Sequence, residues 1–95
     1  MQPVLPSWFK QRQAKLEPAG ENTYRVTAPN LVESFIGIRP GENGRWAAFL
    51  RQAADAPDLA ATGPEFANPG DAWGAAFELH RRHIMVGEPP AGAAP

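Results

Sequence analysis

Apolar and polar residues alternate with period two over one stretch of the chain, turn formers bound two further extended stretches, and apolar residues recur with helical period over another. Thr23-Tyr24-Arg25-Val26-Thr27 is β-branched and alternating, which predicts a first strand, and Pro29-Asn30 follows as a turn pair. Residues 31–39 predict a second strand, closed by Pro40-Gly41-Glu42-Asn43-Gly44, a run of turn formers. Residues 45–51 predict a third. Trp46-Ala47-Ala48-Phe49-Leu50 lacks strict alternation and also suits the start of a helix, but the Asn-Gly pair before it favours a hairpin. Residues 53–57 form a loop, after which either 58–62 or 65–66 adds a short strand.

The helical pattern is the clearest. Trp73, Ala76, Phe77, His80 and Ile84 fall at i, i+3, i+4, i+7 and i+11, one apolar stripe. Asn68 stands at the cap, Pro69 at the first helical position, and Asp71 in the first turn, where a carboxylate meets unpaired backbone donors. Arg81, Arg82 and His83 lie near the far end, where positive charge suits the helix dipole, and Gly87 is a natural stop.

Outside this body both ends are expected to be peripheral. In residues 1–21, Ser7 could cap a short helix over 8–17 that packs one end through Trp8 and Phe9, and Pro18-Ala19-Gly20 stops it. Residues 87–95 carry no apolar side chain larger than alanine or proline, which predicts a disordered, dispensable tail. The expected organisation is an extension (1–21), a β-β-β-α domain (22–86) and a tail (87–95).

Alternation along a strand sends neighbouring side chains to opposite faces. One face collects Tyr24, Val26, Val32, Ser34, Ile36, Ile38, Trp46, Ala48 and Leu50, which the helix stripe would cover, with Trp46, Trp73 and Phe77 at the centre. The expected fold is α+β: a three- or four-stranded antiparallel sheet with one C-terminal helix packed on one face, plus a short N-terminal helix. The other face carries Arg25, Phe35, Arg39, Arg45, Phe49 and Arg51, opposed by Glu33 alone, for a net +3. These six are the candidate binding residues.

Composition narrows the classes. The chain has 95 residues, enough for one small core. It contains no cysteine, which excludes disulfides, thiolate metal sites and a thiol nucleophile. No apolar run is long enough to cross a membrane as a helix and no signal-peptide pattern opens the chain, so a cytoplasmic location is expected. The formal net charge of −1 hides an asymmetry: residues 1–51 sum to +3 and residues 52–95 to −4. Such asymmetry marks either a basic binding surface or two solvated faces that attract one another.

Gly37-Ile38-Arg39, then Gly44-Arg45-Trp46-Ala47-Ala48-Phe49-Leu50-Arg51, then residues 63–66 and the Ala-rich helix after Asn68, resemble an AP2-type DNA-binding domain. The resemblance spans about half the chain. It implies a three-stranded sheet whose Arg39, Arg45 and Arg51 enter the major groove of DNA. The chain departs from that pattern at Ile36, where the family has a further arginine, and at Phe49, where it has glutamate. It also lacks a Trp-Leu-Gly before the helix, and its charge is acidic where the family is basic.

No catalytic constellation emerges. His80 and His83 lie three apart on the helix, but no spacing supplies further zinc ligands. Ser7 and Ser34 are the only serines, and neither stands in a nucleophile elbow. Gly37, Gly41 and Gly44 are followed by no Gly-Lys-Ser/Thr, so they make no phosphate loop. A small non-enzymatic binding module without metal or cofactor is expected. The first reading is protein interaction or self-association through the open sheet face or edge. The alternative is nucleic acid on the arginine-bearing face, since guanidinium forks bind phosphate and aromatic rings stack on bases. No membrane partner is expected.

Overall fold

The computed structural model describes residues 5–29 and 31–86. The tail expected at 87–95 lies outside the described residues. The chain opens with helix α1 (Ser7–Gln11), then lays down five strands, β1 (Lys15–Gly20), β2 (Thr23–Thr27), β3 (Ser34–Pro40), β4 (Trp46–Arg51) and β5 (Asp58–Ala61), and closes with helix α2 (Pro69–His80). The strands form one antiparallel sheet in the order of the sequence, a meander. The α+β class, the one-sided helix and the short N-terminal helix are as expected; the strand count is higher.

The additional strand comes from the segment assigned to a helix. α1 stops at Gln11, and Gln13 takes a left-handed φ of 58° that turns the chain out of helical geometry. Residues 15–20 then pair with β2, Leu16 opposite Val26 and Glu17 opposite Arg25. The Pro18-Ala19-Gly20 run, taken as a helix stop, instead ends a hairpin strand whose turn uses a φ of 54° at Asn22, a residue that tolerates this region. At the other edge both candidate segments after residue 57 pair with β4. β5 lies along Phe49–Arg51, and Phe66 bridges Trp46 through two backbone hydrogen bonds of 2.8 and 3.1 Å. Between β3 and β4, Asn43 Oδ1 accepts from the Arg45 amide and Gly44 supplies a φ of 77°, so the Asn-Gly pair does make the hairpin.

α2 begins as its sequence dictates: Asn68 Oδ1 accepts from the Asp71 amide at 2.9 Å, and Pro69 occupies the first turn. It ends differently. After His80 the chain widens into a π-helical turn over Arg81–Met85, closed by the Val86 amide on the Arg81 carbonyl at 2.9 Å.

Both helices lie against the same face of the sheet. Phe9, fully buried, joins Val26, Ile36, Ile38, Ala48, Leu50, Ala72, Trp73, Ala76 and Phe77 in one cluster. Its ring meets Phe77 edge-on at 5.1 Å between centroids and His80 at 5.7 Å. Trp73 and Phe77 are central as expected, whereas Trp46 is only half-buried at the rim. Val32, assigned inward, is 63% exposed because β3 starts at Ser34 and the alternation does not extend into the loop before it.

Candidate protein-binding face

The opposite face of the sheet is covered by neither helix. The pairing register sets its residues in rows. Glu17, Arg25, Phe35, Arg51 and Asp58 stand side by side across all five strands, and Thr23, Gly37, Phe49 and Ala61 form the next row. Arg39 pairs with Ala47 one row further on. Of the six candidate residues, Arg25, Phe35, Arg39, Phe49 and Arg51 therefore share this face. Arg45 precedes β4 at the turn end, where its Nη1 donates to the Glu65 carbonyl at 3.3 Å, apart from the others.

Phe49 is not the open aromatic the pattern suggested. It is 4% exposed, although no helix lies over it. Gly37, directly opposite, leaves the space that the ring fills across the strands. The Arg39 and Arg51 guanidinium carbons then lie 4.4 and 4.6 Å from its centroid, a cation–π roof of two arginines. A Cβ at Gly37 would collide with the Phe49 ring and stand 2.6 Å from the Asn22 carbonyl oxygen. Gly37→Val should therefore cost about 1–3 kcal/mol by overpacking, read as a lower urea midpoint. An unchanged midpoint would show that the ring has room to move aside.

Asp58 holds the roof in place. Its carboxylate accepts from Arg51 Nε at 2.9 Å and from Arg39 Nη2 at 3.0 and 3.1 Å. Arg25 is held from both sides, Nε lying 2.7 Å from Glu33 and Nη2 3.8 Å from Glu17. The face expected to carry +3 against one glutamate thus contains its own counter-charges. Two of them, Glu17 and Asp58, were not expected on it. Glu17 sits on β1, where a helix was expected, and Asp58 opens β5, which the sequence left open between two segments. Charge patterning held the signal for β1: Glu17 lies one hairpin away from Arg25, the spacing of a cross-strand ion pair.

Phe35 is the half-exposed aromatic in the middle of the first row, between Arg25 and Arg51. What the face offers is one apolar ring flanked by charged side chains already oriented by ion pairs. Arginines and aromatics in such a setting suit contact with protein.

Elsewhere, no group of three or more potential metal ligands occurs among the described residues. His80 is 1% exposed, its Nδ1 has no hydrogen-bond partner, and burial lowers its pKa to about 4. Ser34, fully buried on the helix-covered face, likewise has no partner for its hydroxyl. Compared with protein-family models, curated proteins and solved structures, the chain matches none.

Proposed function

We propose that the chain is a small non-enzymatic protein-interaction module that self-associates through its open sheet face, two copies meeting face to face. The observation that carries this reading is the arrangement of charge on a face that neither helix covers. Arg25 with Glu17 and Glu33 sums to −1 on one half, and Arg39 and Arg51 with Asp58 sum to +1 on the other. A two-fold axis near Phe35 sets each half over its opposite, and an isologous interface requires that self-complementarity. Phe35 is then the apolar anchor at the centre, where interface energy concentrates.

The same ion pairs weigh against nucleic acid. A phosphate would have to displace Asp58 from two guanidinium groups, or Glu17 and Glu33 from Arg25, before gaining a contact. Phe49, the second candidate for base stacking, is already roofed.

Light scattering on a size-exclusion column tests the proposal. The wild type should run as a dimer and Phe35→Ser as a folded monomer, with neither retarding an oligonucleotide at low salt. A wild type that stays monomeric, or a Phe35→Ser variant that stays dimeric, would overturn it.

A further inference from the structure

The cations that lack a carboxylate lie elsewhere. At one end of the sheet, among the described residues, Lys10, Arg12, Lys15 and Arg82 are exposed and form no ion pair within 4 Å; Arg45, at the other end, forms none either and donates to the Glu65 carbonyl. Three of the first four are on the segment from α1 to the start of β1, and the fourth follows α2. Packing brings these segments together: the Phe9 ring abuts Phe77 and His80, the Ala14 amide donates to the Phe9 carbonyl at 3.3 Å, and Lys15 pairs with Thr27. Neither residues 5–16 nor residues 79–86 contain an aspartate or glutamate. Nearby carboxylates are mostly taken, Glu78 by Arg81, with the Arg82 charge also helping to lower its pKa, and Glu17 and Glu33 by Arg25; Asp55 in the β4–β5 link is the exception at this end of the sheet. Complementing the α2 dipole accounts for Arg82 but not for Lys10, Arg12 or Lys15, which lie outside that helix.

Two further features fall at the same end. An open depression of about 270 Å³ is lined by Gln13, Lys15, Thr27, Ala28 and Pro29. The two large hydrophobic residues most exposed among the described ones, Val32 and Val86, at 63% and 65%, lie in the β2–β3 link and just beyond the π-helical turn.

We propose that this end of the domain binds an acidic peptide segment of a partner protein that also carries aliphatic side chains. The cations meet its carboxylates, and the depression beside Lys15 seats one of them against an ammonium group and the Thr27 hydroxyl. The valines receive its apolar residues. A phosphodiester backbone offers nothing to exposed aliphatic groups, and a bilayer surface would leave the concave depression empty. This surface is separate from the open sheet face and does not depend on self-association there.

The test is an amide-shift titration of the labelled full chain with a synthetic peptide alternating glutamate and leucine. Controls are the same peptide with glutamine for glutamate, a single-stranded oligonucleotide, and phosphatidylserine-containing vesicles. Shifts should map to Lys10, Lys15, Thr27, Val32, Arg82 and Val86. The exposed double change Lys15→Glu, Arg82→Glu should weaken binding about tenfold or more while the spectrum stays folded. Phe35→Ser should leave this binding intact, so failure here and failure of the sheet-face proposal are read separately. No shifts, equal binding of the glutamine peptide, or tighter binding of the oligonucleotide or vesicles would overturn the assignment.

Discussion

Phe9→Ala should destabilise the domain by about 3–5 kcal/mol, the usual cost of emptying a buried phenylalanine site, out of the 5–15 kcal/mol that a small domain has in total. The ring is fully buried and ties α1 to α2 and to the sheet. It meets Phe77 and His80 on α2, and it belongs to the same cluster as Val26 and Leu50 on the sheet. α1 is only five residues long and too short to be stable by itself, so its order depends on packing, with Phe9 its one fully buried residue and Leu5 and Trp8 against the margin of the same cluster. Chemical denaturation should give a much lower midpoint, with the tryptophan signal from Trp8 changing in the same transition. A near-normal midpoint would mean that α1 is an appendage and that the core closes without it.

The second large effect is acid instability through His80. Burial holds this imidazole neutral in the folded chain, with a pKa of about 4 against an ordinary value of 6.5. The unfolded chain therefore takes up a proton between those values while the folded chain does not, and protonation favours unfolding. Stability should be fully retained above pH 6.5 and fall by up to about 3 kcal/mol as the pH drops to 4. His80→Leu, which keeps the volume and removes an unpartnered buried nitrogen, should flatten that part of the pH profile. A wild-type profile level from pH 7 to 4.5, or an unchanged slope in His80→Leu, would contradict it.

The central strands and α2 were legible because local signals and tertiary packing agree there. β2 follows its alternation, and α2 follows an apolar stripe with an Asn cap and proline in the first turn. The edge strands were less legible because edges carry little hydrophobic pattern. β1 is Lys-Leu-Glu-Pro-Ala-Gly, with Leu16 its one large apolar residue, and its pairing comes from β2 rather than from its own sequence. That omission carried through to the site. Arg25, Arg39 and Arg51 were placed on the correct face, Arg45 was not, and Glu33 was read as opposing them; the other neutralising carboxylates belong to β1 and β5, so a paired surface looked like a net cationic one. The burial of Phe49 was equally hidden, since it depends on Gly37 lying across from it and on two arginines two residues to either side in register.

The self-association claim is tested most directly by isotope-filtered proton contacts in a mixture of labelled and unlabelled chain. Contacts between copies are predicted at Phe35, Arg25 and Arg51, with the Glu17–Glu33 side of one copy against the Arg39–Arg51 side of the other. Intermolecular contacts confined to the β5 edge or the helices, or none in a concentrated sample, would contradict it.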